Sequence, residues 1–319
     1  MRVSLILLLT VIVQANVFSQ GKVVASEDDL EFYRELNNKE VRLMEFKDSD
    51  EALKLKLTQL DVINKSRKRN RVPPVRLDIL ASRVANRMCR EAAENRYISH
   101  WNLAGEKPYL RYAFAGGYDH VSENASGEWT SGSYNTSASD ISEMMESAHN
   151  TFMSEKAPND GHKKNIIARA HNFVGIGYFT SEKQFRYYEE FIDRYFEFEN
   201  IPSQLKINET GSITVRTDGS VFPYYLIIYR EEFPEAMKVS QLKKTGGYQD
   251  YTNEEYLQLP AWEIARYRSG NSYRIPLKFT VEGLYYIHIY LDKKEIKNPS
   301  ALNTKGKTEG CGIVIRVEK

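Results

Sequence analysis

Ser99-His100, Ser122-Glu123-Asn124, Phe152-Met153-Ser154-Glu155 and Gly161-His162 are the landmarks from which the chain is best read. Stretches that read as loop or helix separate them, so His100, Glu123, Glu155 and His162 can be carried to one cleft. Neutral imidazole and carboxylate together suit a divalent cation such as zinc, or acid–base work on a bound ligand. Residue types alone do not decide between these, and the flanking sequence has to be weighed.

Upstream, Leu60-Asp61-Val62-Ile63-Asn64-Lys65-Ser66-Arg67 closes one helical pattern, and Val72-Pro73-Pro74-Val75-Arg76-Leu77 leads to a second that runs to Tyr97. His100 is followed by Gly105, Pro108 and Arg111, and Gly117-Tyr118 leads to Glu123-Asn124. Phe152, Glu155 and His162 come next, then Val174-Gly175-Ile176-Gly177-Tyr178-Phe179 and Tyr187-Tyr188-Glu189-Glu190-Phe191. In content and order these motifs resemble the CAP superfamily (cysteine-rich secretory proteins, antigen 5, pathogenesis-related 1), or SCP domain, from Ala52 to Phe198. Ser122 stands where that family usually has Gly, Phe152 where Trp is common, and the family's cysteine pairs are absent, as in many bacterial members. None of these departures removes a polar group from the tetrad.

The resemblance implies that His100, Glu123, Glu155 and His162 line a central cleft, with His100 and His162 as ligands of one divalent ion. Two imidazole nitrogens make zinc the expected metal, with water completing the shell. Glu123 and Glu155 would orient the imidazoles, accept from bound water or act as ligands themselves. The expected function is a secreted binding protein for an extracellular lipid, peptide or glycan. Metal-assisted hydrolysis of peptide or cell-wall material is the alternative, with Glu123 and Glu155 as candidate catalytic groups. Two other readings remain open: a polar network that fixes the core without an ion, and a scaffold that presents the second half for adhesion. His120, three residues before Glu123, is the reserve candidate for the cleft, and His149, His171 and His288 read as surface or satisfied structural histidines.

Composition sets the outer limits. A length of 319 residues favours two domains, and 27% charged with 41% hydrophobic residues is ordinary for a folded protein. A net charge of +1 gives no case for nucleic acid or an anionic membrane. The basic run Lys65–Arg71 reads as a solvated helix end. Met1-Arg2 followed by the apolar Leu5–Val13 reads as a signal segment, residues 1–19, so the mature chain is expected to be secreted or periplasmic without an integral membrane segment. Cys89 and Cys311, the only cysteines, exclude a disulfide scaffold, and Cys89 shares an apolar stripe with Ala81, Ala85 and Ala92. Four Asn-X-Ser/Thr sites, at Asn64, Asn124, Asn135 and Asn208, count only in a eukaryotic secretory pathway, and the cysteine-poor sequence looks more bacterial.

Periodicity supplies the organisation. A helical extension occupies 20–51, with a peripheral helix over Glu27–Leu43. Leu53, Leu57, Leu60 and Ile63 mark an amphipathic helix stopped by Val72-Pro73-Pro74. Asp78–Tyr97 is a third helix, Gly127–Ser139 a loop, and Asp140–Phe152 a helix with Asp140 as its expected N-cap. Phe173–Phe179 and Gln184–Phe198 read as strands. After Pro202 short β-rich runs take over. The expected class is α+β: a CAP-type α/β/α sandwich over 52–198, then an antiparallel β-sandwich over 199–319. The tyrosines of that second half read as cross-strand packing pairs.

Overall fold

The computed structural model describes residues 27–248 and 254–319; the expected signal segment at 1–19 lies outside the described residues. The first half contains α1 (Glu27–Lys39), α2 (Asp50–Arg69), β1 (Arg76–Leu77), α3 (Ile79–Glu94), α4 (Pro108–Phe114), β2 (His120–Trp129), α5 (Ala138–Ser154), α6 (Gly161–Ile166), β3 (Phe173–Thr180) and β4 (Gln184–Asp193). Its sheet has the order β1-β3-β4-β2, with β1 parallel to β3 and the other pairs antiparallel. β2 is therefore an edge strand, and that position shapes the site.

Alternation along β3 sorts the layers. Val174 and Ile176 join Leu53, Leu57 and Ile63 of α2 and Met145 and Phe152 of α5 in one buried cluster. Gly175 and Gly177 face the other way, where a Cβ would stand 2.4 Å from the backbone of Ala81 and of Ala85. Only glycine lets α3 lie that close to the sheet. The small residues Ala81 and Ala85 on α3 meet it from the other side, giving the α/β/α sandwich.

Helix starts follow side-chain caps. Ser49 accepts from the Ala52 N–H, and Asp78 Oδ1 accepts from the Ala81 N–H at 2.7 Å. At α5 the expected cap Asp140 is corrected to Ser137, whose hydroxyl accepts from the Asp140 N–H. The loop expected from Gly127 starts later, because β2 pairs with β4 out to Trp129. The basic run also needs correction at Arg67. That side chain is fully buried and donates to the carbonyls of Pro73, Ile166, Ala168 and His171. It ties the end of α2 to the loop after α6, a role charge counting does not reveal.

The second half comprises β5 (Glu197–Glu199), β6 (Gln204–Lys206), β7 (Thr210–Arg216), β8 (Phe222–Glu231), α7 (Val239–Leu242), β9 (Glu255–Pro260), α8 (Ala261–Ile264), β10 (Arg268–Ser269), β11 (Ser272–Lys278), β12 (Gly283–Asp292), β13 (Thr308–Glu309) and β14 (Ile313–Glu318). Sheets β10-β11-β7-β5 and β6-β14-β12-β8-β9, the latter with β13 on β12, enclose a core that includes Ile213, Val215, Ile275, Leu226, Ile287 and Ile315. The pairing is antiparallel apart from β14 with β6. β5 straddles the expected boundary at 198/199. Tyrosines pair across strands, Tyr286 opposite Tyr229 and Tyr290 opposite Tyr225.

The halves meet on the α3 and α4 side of the first sheet. Leu80, Val84, Tyr109, Leu110, Val121 and Ile192 share a buried cluster with Leu284, Tyr286 and Val314, and Tyr109 stacks on Tyr286 with ring centroids 4.4 Å apart. Cys89 and Cys311 are free and buried in different clusters. Among the described residues no helix is long and apolar enough to cross a membrane.

Candidate functional site

The four sequence-predicted residues form two histidine–glutamate pairs, one on each side of edge strand β2. His100 Nδ1 lies 2.7 Å from Glu123 Oε1, and His162 Nδ1 lies 2.5 Å from Glu155 Oε1. Strand alternation turns Glu123 toward the α3 layer and Asn124 toward the α5 layer. Asn124 Nδ2 donates to the His162 carbonyl at 3.2 Å, so adjacent residues of one strand anchor both pairs.

The first pair is deeply set. The Glu123 side chain has no exposure and that of His100 17%. Arg111, from α4, donates to the second Glu123 oxygen and to the carbonyls of His100 and Glu106, fixing the loop that carries the imidazole. Glu190 sits directly opposite Glu123 in the sheet register, with Arg111 3.8 Å away. Burial first, then the charge of Glu123, pushes the Glu190 pKa well above the usual carboxyl range. Burial also raises Glu123, but Arg111 opposes it. Burial works against the charge on Arg111, yet Glu123 and Glu190 outweigh it and raise its pKa. The two shifts favour the neutral form of Glu190, beside the ion pair of Arg111 with Glu123.

The second pair is more open, with side-chain exposures of 34% for His162 and 23% for Glu155. Glu155 follows α5 directly, and its Oε2 accepts from the N–H groups of His162 and Lys163 at the start of α6. Phe152 stacks on His162 with centroids 4.6 Å apart, so phenyl does the orienting work at a position where the family often has Trp. Ser122, the other departure, donates to Asn165 Oδ1.

Beneath the second pair runs a buried network. Glu189 accepts from Asn124 and Tyr187 and bonds His149 Nδ1 at 2.7 Å, while His149 Nε2 reaches Ser66. His149 is thus a satisfied structural histidine, and the network immobilises Asn124. His120, the reserve candidate, does not stand with Glu123. It lies on the opposite face of β2, 3.1 Å from Asp193, which also bonds His171. Its Nε2 lies 3.7 Å from Glu309 of the second half, which in turn bonds His288. A separate cavity of about 500 Å³, lined by Asp78, Tyr112, Asp119, Phe173 and Arg194 among others, contains none of the tetrad.

Three contributors to the site escaped the sequence reading. Arg111 was visible as a motif position without a role. Glu190 lay inside a quoted strand, and its pairing with Glu123 needed the register. Tyr248 comes from the second half: its ring lies 4.8 Å from His100, and its hydroxyl accepts from the Glu123 N–H at 2.9 Å.

The cysteine-rich secretory protein (CAP) family profile matches residues 60–191, the span that holds the whole tetrad. This segment is a CAP domain. Among solved structures, the chain is similar to an extracellular SCP-domain protein of Bacillus anthracis, 18% identical over 43% of this chain and 40% of that one, with a TM-score of 0.33. It is similar to an outer surface protein of Borrelia burgdorferi, 18% identical over 44% and 92% of the two chains, with a TM-score of 0.35. A cysteine-rich secretory protein of Staphylococcus aureus is 14% identical over 43% and 38%, with a TM-score of 0.28. The chain thus spans well under half the length of the Bacillus and Staphylococcus proteins. No curated protein matches it.

The donor set of the CAP domain suits a metal in one specific way. A proton on each Nδ1, given to its glutamate, leaves the lone pair on Nε2, the tautomer a metal-binding imidazole needs. Glu123, with both oxygens engaged by His100 and Arg111, is built to orient a ligand and not to be one. Among the described residues no group of three or more His, Cys, Asp or Glu side chains is placed to hold an ion.

Proposed function

We propose that this is an exported binding protein whose CAP domain holds a divalent ion, zinc by its donor chemistry, through His100 and His162, and presents it to an extracellular lipid, peptide or glycan. The observation that carries this reading is the matched pair of Nδ1–carboxylate contacts, 2.7 Å at His100 and 2.5 Å at His162. A carboxylate behind an imidazole fixes its tautomer and raises its basicity as a ligand. Bound zinc would supply Lewis acidity and open coordination positions for a ligand's oxygen or nitrogen. Export is supported by the signal-like pattern of Met1-Arg2 and the apolar Leu5–Val13.

Calorimetric titration of metal-stripped protein with zinc tests the reading. The native chain should bind one equivalent, and His100→Ala/His162→Ala should bind none. Equal affinity in the two would remove the site. Zinc-dependent cleavage of peptide or cell-wall substrates, lost in Glu155→Ala, would replace binding by hydrolysis.

A further inference from the structure

β8 and β9 are antiparallel neighbours, a pair that a turn of two to five residues can join. Here residues 232–254 intervene, and the excursion crosses to the CAP domain. Gly105, at φ +77°, leaves room for the Glu235 carbonyl, which a Cβ there would meet at 2.2 Å. The Met237 N–H donates to Leu103 O at 2.8 Å. Leu242, wholly buried, shares a cluster with Met88, Ala92, Tyr97 and Tyr188 of the CAP domain. The Thr245 hydroxyl donates to Leu242 O and so accepts from Ser99 Oγ, 2.6 Å away. Tyr248 then covers His100 and caps the outward N–H of Glu123 on edge strand β2.

Between these anchors the segment makes the helical turn of α7 and faces solvent. Gln241, Lys243, Lys244, Gly246 and Gly247 are exposed, and added Cβ atoms at the two glycines would meet nothing within 4 Å. Leu242 and Thr245, one helical turn apart, with Tyr248 three residues on, present one face to the CAP domain, as a short helical segment lies in a groove. An edge-strand N–H and a small apolar pocket are general features of peptide recognition.

We propose that the groove from Leu103 past Ser99 and His100 to Glu123 is a peptide-binding site that the chain's own residues 237–248 fill. A peptide with a leucine-like side chain on a short helical turn and, six residues later, a tyrosine competes for it. The inference deepens the binding reading by naming the ligand class, and rests on that reading only for the identity of the cleft.

The test uses the full mature chain in metal-free buffer, so its outcome is independent of zinc. The probe is a fluorescent peptide of the sequence 237–248. The Leu242→Ser/Tyr248→Ala chain should bind it at least tenfold more tightly than the native chain. A Ser99→Cys/Thr245→Cys chain, oxidised to pin the segment down, should not bind it until reduced. If the double variant does not fold, Tyr248→Phe removes one hydrogen bond and should still raise peptide affinity by about fivefold. Equal binding by native and loosened chains, or equal binding of a probe carrying the Leu242→Ser and Tyr248→Ala changes, overturns the proposal.

Discussion

Replacing Glu123 and Glu190 by glutamine, singly and together, separates the charge Arg111 needs from the residue that supplies it. Burial and the charge of Glu123 both favour the neutral form of Glu190, so Glu190→Gln should cost less than about 1 kcal/mol. Glu123→Gln removes the carboxylate paired with Arg111 and His100. It also removes the second of the two causes that favour neutral Glu190, which makes it easier for Glu190, 3.8 Å from the guanidinium, to take over as counter-ion. The single cost should be about 1–2 kcal/mol, that of weakened charge-assisted hydrogen bonds. With both changed, the buried Arg111 has no counter-ion nearby, and loss of a buried partner costs about 3–5 kcal/mol. The double variant should therefore exceed the sum of the singles by about 1–2 kcal/mol. Urea unfolding of the native chain and the three variants at pH 7, with m-values compared, measures this. A double variant equal to the sum, or a Glu190→Gln change that alone costs 3 kcal/mol, refutes the protonation assignment.

Gly175→Ala drives a Cβ into the backbone of Ala81 and should destabilise by about 3 kcal/mol or block folding, read as the shift in thermal midpoint. Stability should also fall on the acid side. Burial alone would raise Glu309, but His288 and His120 hold its pKa down at about 2, below its ordinary 4.5. A folded pKa below the unfolded one stabilises above pH 4.5, and that contribution, about 3 kcal/mol, is lost as pH falls toward 2. Glu309→Gln should flatten denaturation curves in that window, and an unchanged acid limb would remove Glu309 from the cause.

The CAP domain was legible because its landmarks combine local signals with fixed order. Apolar residues at three- and four-residue steps announced α2 and α3, and the closely spaced Gly175 and Gly177 marked the strand beneath α3. His100, Glu123, Glu155 and His162 could be named from their motifs, though not which glutamate pairs with which histidine. Other parts depended on non-local facts. Glu190 becomes part of the site only through its register opposite Glu123, and Tyr248 only because a connection between β-strands crosses to the other half. Arg67 looked solvated in a basic run because three of the four carbonyls it binds, those of Ile166, Ala168 and His171, are distant in sequence. The placement of His120 was readable in principle: it is an odd number of residues from Glu123, and on a strand that parity puts the two on opposite faces.

X-ray absorption fine structure of the zinc-loaded chain tests the central claim most directly, since it asks whether both imidazoles reach one ion. The account predicts two imidazole nitrogens at about 2.0–2.1 Å with the remaining shell of oxygen. A single imidazole, or a sulfur scatterer near about 2.3 Å, would contradict it.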